Sequence, residues 1–488
     1  MKSEVNRDGQ KAVVAEHSTD GQEYWLRRWG TETQGTHSRE GEAGHNVRLK
    51  GKTKDTMRSQ IVSTKLQQIA EQAVNEPDKV FTNIMYLVDV DFLREAYQRT
   101  RKDAAPGMDG VTAEQYAKNL DENLQALYDR MRKGQYRAPA VKRIWLDKEN
   151  GSKRPIGIPE FEDKIVQRAV SMLLGAIYEQ DFYAFSHGFR PEHSPHQALG
   201  EIWKQCMGMN IGWIIDADVS GFFDNLSHSK LQEIIKQRVN DGGILRYIGK
   251  WLNAGIMDGE SLSYPEKGTP QGGVVSPILA NVYLHHVLDE WFVKEVQPLM
   301  KGRCFLCRFA DDFIIGFERE EDARRVMEVL PKRFARFDLT IHPEKTRLVS
   351  FQKPNRQQED GKGNGTFVFL GFTHYWAKSR RNNWVIKRKT APKRLHRSMR
   401  NAWEWCRQNR HKPLREQYHM LCLKLNGHYQ YYGIQGNFAM LRVLYKHVEN
   451  AWRYWLSHRS SKGGIPWEMF RTLGIRYPLP TPRIVHCV

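Results

Sequence analysis

Two adjacent carboxylates, Asp311 and Asp312, stand between two apolar runs in residues 304–317, CFLCRFADDFIIGF. The runs have strand-like composition, so the segment is predicted to form a β-hairpin with both carboxylates at its bend. Because neighbouring carboxylates repel each other, a fold that holds them together is expected to recruit cations that neutralise them. A surface hairpin with an acidic turn is the alternative, since aspartate is common in turns.

A second carboxylate pair lies in an upstream run with strand-like composition, residues 213–220, WIIDADVS. Alternate residues of a strand share a face, which puts Asp216 and Asp218 on one face and the apolar residues on the other. Unpaired carboxylates are not buried in a core, so the aspartate face is expected to line a polar or metal-filled cleft. Carboxylates from two strands could hold two Mg²⁺ ions about 3.5–4 Å apart, which is the arrangement used in nucleotidyl transfer.

The positive charge of the chain is concentrated at one end. The 488 residues include 75 Lys/Arg and 56 Asp/Glu, a net charge of +19 that indicates a polyanionic partner. Residues 373–488 contain 23 Lys/Arg and 4 Asp/Glu, so residues 1–372 contain 52 of each sign and are neutral overall. Such an excess through a whole region favours nucleic-acid binding over a merely solvated surface.

Composition argues against a secreted, disulfide-bonded or membrane protein. Six cysteines are too few for a disulfide framework in this chain, and Cys304-x-x-Cys307 lacks a second pair at zinc-finger spacing. Both thiols are therefore expected to pack in the strand before the aspartates. The N-terminus has no apolar signal core, and no run of about 18 apolar residues could span a membrane. A soluble, cytoplasmic protein is expected.

Two further segments could contact a nucleotide. Residues 142–159, KRIWLDKENGSKRPIGIP, are predicted to form a basic hairpin that turns at Asn150-Gly151. Arginine forks suit a triphosphate, whereas a solvated edge strand protected by lysine is the alternative. In residues 267–284, a Gly/Pro loop precedes an apolar helix; Gly272 allows close backbone approach, and Gln271 can bond to a base or sugar edge.

Helical periodicity is predicted in several parts of the chain. The main N-terminal segments are Thr56–Ala73, Val80–Arg101 and Gln167–Tyr178, and Ser227 is expected to cap a helix that runs to about Val239. Near the C-terminus, one helix is predicted to begin at Pro392 and to cluster its basic residues on one side. A later helix is predicted to bury its Leu and Trp residues and to present Arg442, Lys446 and Arg453 on the opposite side.

Several of these segments resemble motifs of group II intron reverse transcriptases, also called intron-encoded maturases. Asp218-Val-Ser-Gly-Phe-Phe-Asp224 is similar to the first palm motif of that family. Phe309-Ala310-Asp311-Asp312 resembles its paired-aspartate motif, with Phe where Tyr is commoner. The glycine loop in residues 267–284 resembles the nucleotide-binding loop, and Asn426–Gly433, NGHYQYYG, resembles the maturase signature. The resemblance extends from Arg58 to Arg483.

The resemblance implies an α/β right-hand polymerase, with fingers and an α+β palm followed by an α-helical thumb. The expected parts are a flexible extension in residues 1–55, an N-terminal extension and fingers in 56–191, a palm in 192–375, and a basic thumb or maturase domain in 376–488. Since the chain ends soon after the thumb motifs, a bacterial-type protein without the endonuclease domain of many relatives is expected.

The resemblance also implies an RNA-directed DNA polymerase and assigns roles to individual residues. The catalytic residues would be Asp218, Asp311 and Asp312, which with Val219 would hold two Mg²⁺ ions, for which Mn²⁺ could substitute. Contacts to the incoming deoxynucleoside triphosphate (dNTP) would come from Lys148, Arg154, Phe223, Gln271 and Lys345. Nucleic acid would bind Arg394, Arg397, Arg400, Arg442, Lys446 and Arg453. The alternative interpretation of Phe223 is that its ring only packs in the core and does not contact the nucleotide.

The implied partners are group II intron RNA, an RNA template with a DNA primer, target DNA and dNTPs, with no membrane. Two other functions stay open at this point. One is a non-enzymatic RNA-binding cofactor that stabilises the folded intron for splicing. The other is a domesticated DNA-repair polymerase that no longer serves an intron. RNA that co-purifies with the protein would distinguish these alternatives.

Overall fold

The computed structural model describes residues 46–147, 153–259, 261–264, 267–269, 272–354, 365–459 and 464–487. Most of the expected N-terminal extension lies outside these ranges, but its residues 46–55 already belong to a helix. The described residues form two compact units, Met1–Phe182 with Ile235–Ile278 and Tyr183–Ile234 with Leu279–Val488. None of the helices in the described ranges is both long and apolar enough to cross a membrane.

The α-helices of the described residues are, in chain order, α1 (Asn46–Asn75), α2 (Val90–Arg99), α3 (Ala113–Ala117), α4 (Leu120–Arg132), α5 (Phe161–Asp181), α6 (Pro195–Gly208), α7 (Phe222–Asn225), α8 (His228–Arg238), α9 (Gly242–Leu252), α10 (Ser276–Leu284), α11 (Glu320–Ala335), α12 (Pro392–Asn409), α13 (Leu414–Tyr432), α14 (Phe438–Ser457) and α15 (Trp467–Arg476). Short 3₁₀ turns occupy Met85–Leu87 and Gln297–Leu299, and π-helical turns occupy His285–Asp289 and Phe292–Val296.

The strands are β1 (Val141–Asp147), β2 (Lys153–Ile158), β3 (Trp213–Ala217), β4 (Ile256–Asp258), β5 (Ser261–Ser263), β6 (Cys304–Phe309), β7 (Asp312–Phe317), β8 (Arg347–Ser350), β9 (Phe367–Phe369), β10 (Phe372–Lys378) and β11 (Trp384–Thr390). They form three sheets with the orders β2-β1-β4-β5, β6-β7-β3-β8 and β11-β10-β9. The expectation of a mixed α/β protein with a helical C-terminal region is confirmed.

The first unit is built around α5, which is buried on most of its sides and packs against α1 and α2. The sequence predicted an amphipathic helix over Gln167–Tyr178, and this is wrong in extent and in character. The helix is 21 residues long, and polar residues such as Asp163 and Gln167 are buried together with its apolar ones. Their burial is possible because hydrogen-bond partners surround them, as the site below shows.

The helix predicted over Val80–Arg101 is interrupted. Asp89 has an extended backbone, and its side chain accepts a hydrogen bond from the backbone N–H of Phe92, so α2 begins only at Val90. An aspartate cap satisfies an N–H at the helix start, which favours a break at this point over continuous helix. At the start of α3, Thr112 forms a complete capping box with Gln115.

The second unit contains the sheet β6-β7-β3-β8 and the sheet β11-β10-β9. One buried cluster, which includes Ile214, Phe351 and Phe372, packs these sheets with α6. A second buried cluster joins α12, α13, α14 and α15 through side chains such as Leu421 and Trp452. As predicted, α12 begins with Pro392 at its first position, and Leu441, Leu444, Val448 and Trp452 are buried on α14.

Arg238 at the end of α8 cross-links the first unit. Its guanidinium donates to both carboxylate oxygens of Asp181 at 3.0 and 3.1 Å, and to the carbonyls of Ala73, Glu76 and Lys79 at 3.0, 3.1 and 2.6 Å. The side chain is nearly buried, so its replacement leaves one carboxylate and three carbonyls without these donors.

We predict that Arg238→Leu lowers the free energy of unfolding by about 3 kcal/mol, because it breaks a mostly buried ion pair. Urea unfolding followed by circular dichroism measures this loss. The control is Arg303→Leu, which removes an exposed arginine that pairs with Glu318 on the surface and should cost far less. Equal losses in the two variants would contradict the role given to Arg238.

Candidate active site

The sheet β6-β7-β3-β8 brings the two aspartate motifs to the same edge. Strands β6 and β7 pair with Phe309 opposite Asp312, so Ala310 and Asp311 form a two-residue turn. Strand β3 runs antiparallel to β7, and Ala217 lies opposite Phe313. The next residue after Ala217 is Asp218, which therefore lies at the end of the sheet where β7 begins. The predicted hairpin is confirmed, but only Asp311 lies in its turn, because Asp312 is already the first residue of β7.

Burial along β3 alternates as the sequence predicted. The apolar residues around Asp216 and Asp218 are buried, whereas the two aspartates are partly exposed. The Asp216 carboxylate is held by Arg347 of the neighbouring strand β8, with nitrogen–oxygen distances of 3.1 and 3.2 Å. The two aspartates therefore differ in their surroundings. The charge of Asp216 is offset by Arg347 within the sheet, whereas Asp218 lies just beyond the end of β3.

Asp218 is supported by the segment before β8. The backbone N–H of His342 donates to the Asp218 carbonyl at 2.8 Å, and the Asp218 N–H donates to Thr346 Oγ1 at 3.3 Å. The buried Val219 forms a bridge with Ile341. The Lys345 ammonium donates to Asp218 Oδ2 at 2.7 Å, so this lysine contacts a carboxylate of the site in the structure. Its predicted contact with a triphosphate stays a prediction.

The carboxylates of the site interact electrostatically. Asp312 is exposed to solvent by area, although neighbouring protein atoms surround its carboxylate. Partial loss of hydration, together with the charges of Asp311, Asp218 and Asp216, raises the pKa of Asp312 to about 7. Because water still reaches the side chain, repulsion by the neighbouring carboxylates is the main cause of the raised pKa of Asp312. The site therefore holds more negative charge than its nearby cations offset.

Divalent cations suit this site by chemistry. The available donors are carboxylate oxygens, which Mg²⁺ prefers, and their mutual repulsion is the signature of a site that a cation would stabilise. Within the described ranges, no three His, Cys, Asp or Glu side chains are grouped closely enough to hold a metal ion as they stand. The Lys345 ammonium occupies one Asp218 oxygen in this arrangement. The ligand atoms of these residues are of the type that Mg²⁺ prefers, but the carboxylates would have to shift slightly toward each other to bind one ion together.

Phe223 follows a sharp turn after Asp218. Gly221 has a left-handed backbone, with φ of 55°, and is the N-cap residue immediately before α7. Phe223 is buried and packs edge-to-face against Phe222, with ring centroids 5.2 Å apart. Both interpretations of the Phe223 ring, as a contact for the incoming nucleotide or as a core aromatic, are compatible with this packing.

The first unit carries the predicted nucleotide contacts of the basic hairpin and the glycine loop. Strands β1 and β2 pair as predicted, and Arg154 is exposed on β2. Lys148, Gln271 and the turn at Asn150-Gly151 lie outside the described residues. Gly272 has φ of 118°, and a Cβ atom there would lie 2.5 Å from the Gly157 carbonyl of β2, so glycine permits this close approach.

Gln167 holds the loop that follows Gly272, and sequence reasoning missed it. Its Oε1 accepts from the backbone N–H groups of Val274 at 2.7 Å and Val275 at 3.3 Å. Its Nε2 donates at 2.8 Å to the buried carboxylate of Asp163, which also accepts from Trp251. A polar residue on the apolar face predicted for this helix was the available signal. A single sequence does not show which distant loop such a residue binds.

The maturase-like signature lies close to the carboxylates. The Tyr431 hydroxyl donates to the Leu370 carbonyl at 2.9 Å, in the two-residue turn between β9 and β10. Burial and the adjacent Tyr432 raise the pKa of Tyr431 to about 12, and Asp312 and Arg394 also act on it. The positive charge of Arg394 offsets part of the rise in the pKa of Asp312. Arg394 was expected to contact nucleic acid, and the structure brings it to the aspartate site.

The other basic residues of the helical region differ in exposure. Arg400, Arg442 and Lys446 are exposed, and Arg397 is half-buried. Arg453 was expected to face phosphates. Its guanidinium instead donates to the Ile465 carbonyl at 2.9 Å and lies 4.4 Å from the centre of the Trp467 ring. Both thiols of the Cys304-x-x-Cys307 pair are buried in β6, as predicted.

Comparison with known proteins identifies the family of this chain. A family model described as "Reverse transcriptase (RNA-dependent DNA polymerase)" matches residues 146–374. Protein YkfC of Escherichia coli K12 is 31% identical over 353 residues, which cover 64% of this chain and 87% of YkfC. The group II intron-encoded protein LtrA of Lactococcus lactis is 35% identical over 231 residues, or 47% of this chain. An uncharacterized 91 kDa protein in the cob intron of Schizosaccharomyces pombe is 32% identical over 246 residues, or 50% of this chain.

The motifs and these matches define a reverse transcriptase, an RNA-directed DNA polymerase. More narrowly, the chain belongs to the group II intron reverse transcriptase/maturase family. The matched regions cover 38% of LtrA and 30% of the cob intron protein, so the chain corresponds to less than half of either of those two relatives.

We predict that Gln167→Leu raises the KM for dNTPs by about tenfold, because two loop N–H groups lose their acceptor and the loop shifts. Steady-state primer extension with varied dNTP measures this effect. The control is Gln125→Leu in the same unit, where the glutamine bonds only to Asp129 on the exposed side of α4. An unchanged KM in folded Gln167→Leu protein would contradict the assignment.

Proposed function

We propose that this protein copies an RNA template into DNA from dNTPs at the aspartate site of the second unit. The observation that carries the proposal is the meeting of Asp218 with the Asp311–Asp312 turn at one edge of the sheet β6-β7-β3-β8. Membership of the reverse transcriptase family supports the same reaction. The sheet and its flanking helices would then serve as the palm of a right-hand polymerase, and the helical region as its thumb.

In the proposed mechanism, Asp218, Asp311 and Asp312 would hold two Mg²⁺ ions, and Val219 would belong to the same site. When bound, the ions would activate the primer 3′-hydroxyl and stabilise the leaving pyrophosphate. The chain itself mainly positions the reactants, since phosphoryl transfer needs little acid–base chemistry from protein groups. Lys345 would exchange its contact with Asp218 for the triphosphate, which carries the stronger negative charge. Lys148, Arg154, Gln271 and Phe223 would hold and check the nucleotide.

We further propose that the basic helical region binds structured RNA, including the intron RNA that the family serves. The excess of 23 Lys/Arg over 4 Asp/Glu in residues 373–488 supports this role, because phosphates are the dominant target of such charge. The names of relatives such as LtrA connect them with group II introns. A splicing role would follow from stabilising the folded intron, and target DNA would bind when the RNA is inserted.

We predict that Asp311→Asn lowers primer extension on an RNA template by more than about 100-fold, because it removes a charge from the metal site at nearly constant volume. RNA affinity should stay within about twofold, since phosphate contacts dominate it. The matched control is Asp338→Asn in the same unit, an exposed loop position with φ of 56° that asparagine also adopts. Near-normal DNA synthesis by Asp311→Asn would refute the proposed site.

Mg²⁺ should stabilise the folded protein independently of any reaction. A cation that binds the folded carboxylates relieves their repulsion, so the midpoint of thermal unfolding should rise with Mg²⁺ concentration. In Asp312→Asn the midpoint without Mg²⁺ should rise, because a repelled charge is gone, and the increase caused by Mg²⁺ should shrink. Scanning calorimetry with and without Mg²⁺ measures both quantities. A midpoint that is insensitive to Mg²⁺ in the wild type would argue against a metal site here.

The exposed basic face of α12 should contribute to RNA affinity through phosphates. In the double variant Lys393→Gln/Arg400→Gln, the slope of log K against log salt should fall by about 1.4–1.8 units, as expected for two lost phosphate contacts. Filter binding of structured RNA across a salt series measures the slope. Arg407→Gln on the same helix is the control, because Arg407 pairs with Glu404 at 3.4 Å. No change of slope in the double variant would exclude this face.

A further inference from the structure

The turn that carries the paired aspartates is fastened by a buried arginine. Arg308 of β6 is fully buried, and its Nε and Nη2 donate to the two carboxylate oxygens of Asp289 at 2.8 and 2.5 Å. Its Nη1 donates to the carbonyl of Ala310 at 3.1 Å and to Asn281 Oδ1 at 3.0 Å. One guanidinium thus joins the first turn residue to α10 and to the π-helical turn that follows α10.

The segment formed by residues 185–188 also packs against the same turn. Asn281 Nδ2 donates to the Gly188 carbonyl at 2.7 Å, which connects this segment to the arginine network. A Cβ atom at Gly188 would collide with the backbone nitrogen of Ala310. The backbone of Arg308 also bonds to this segment, since it donates to Phe185 and accepts from His187 at 2.9 and 2.8 Å. The turn is therefore held by hydrogen bonds on one side and by close backbone packing on another.

Stability alone does not explain this arrangement. Burial by itself raises the pKa of Asp289, but Arg308 and His285 outweigh it and hold that pKa below its usual range. Replacing a buried ion pair by apolar side chains is often neutral or stabilising, so a core could be built here without charges. No apolar side chain could hold the Ala310 carbonyl. Ala310 has φ of 57°, an uncommon conformation for a residue other than glycine, and external contacts are needed to fix it.

We propose that Arg308, together with Asn281 and Asp289, is a positioning group that sets the orientation of Asp311 and Asp312 for catalysis. These residues contact neither substrate nor metal in this scheme. They act by fixing the peptide of Ala310, which immediately precedes the two carboxylates. The inference rests on the proposed polymerase function, because it assigns the network a purpose in that reaction.

The principal test variant is Asn281→Ser, which cuts the connections to Arg308 and Gly188 and leaves the Arg308–Asp289 pair intact. We expect kcat for primer extension to fall by about 10- to 100-fold, as misplacement of catalytic groups by an ångström or less does. The KM for dNTPs should stay within about threefold, because nucleotide contacts are unchanged. The Mg²⁺ concentration for half-maximal activity should rise, since the carboxylates no longer converge. A purely structural defect would not move this last value.

A second variant acts by a different route. Gly188→Ala pushes directly on the Ala310 backbone without touching the charges, and it should show the same fall in kcat and the same rise in half-saturating Mg²⁺. It carries the test if Asn281→Ser does not yield folded protein, as judged by circular dichroism. The control is Arg333→Lys, because Arg333 bonds to the carbonyls of His286 and Val287 in the same π-helical turn but makes no recorded contact with Ala310.

The outcomes separate the inference from the function on which it rests. If folded Asn281→Ser and Gly188→Ala keep the wild-type kcat and Mg²⁺ requirement, the positioning role is wrong. It is also wrong if Arg333→Lys produces the same changes, because general loosening of the π-helical turn then suffices. If the wild-type protein itself makes no DNA from an RNA template with Mg²⁺, the proposed function fails instead.

Discussion

The constraint that organises the second unit is the repulsion among carboxylates gathered at one edge of a sheet. Partial burial of Asp312, together with the charges of Asp311, Asp218 and Asp216, raises the pKa of Asp312 to about 7. The surroundings of these aspartates differ: Arg347 pairs with Asp216, Lys345 pairs with Asp218, and Asp312 is exposed to solvent. An arrangement of this kind costs stability in the absence of a cation, and proteins retain such costs at functional sites.

The charge distribution suggests that catalysis and RNA binding belong to separate parts of the chain, but the carboxylate site also involves residues of the basic helical region. By composition, residues 1–372 are neutral and the basic excess lies in the helical region. In the structure, Arg394 of that region acts electrostatically on Asp312, and Tyr431 of its maturase-like signature supports the Leu370 turn in the same unit. A positive charge next to the carboxylates offsets part of their repulsion. We infer that the helical region contributes to the electrostatics of the aspartate site as well as to RNA affinity.

Sequence reasoning succeeded where the signal is local. Alternation along β3 and the hairpin around the paired aspartates each depend on a few neighbouring residues, and the structure contains both. It failed where a distant partner decides. The pairing of Lys345 with Asp218 joins positions 127 residues apart, and Gln167 accepts from Val274 in a loop 107 residues further along the chain. Periodicity shows which face of an element is apolar, but it does not show which loop or charge will meet that face.

The missed residues have a common physical basis. Turns and glycine loops leave backbone N–H and C=O groups outside the helix and sheet ladders, and buried groups of this kind need partners. Gln167 supplies an acceptor to the loop after Gly272, and Arg308 supplies a donor to the Ala310 carbonyl. Both lie in regular elements, and each is held by a buried aspartate, Asp163 or Asp289. In both cases, a polar side chain on a helix or strand forms hydrogen bonds with the backbone of an irregular segment. This explains why charged and amide groups are buried next to the segments where chemistry is expected.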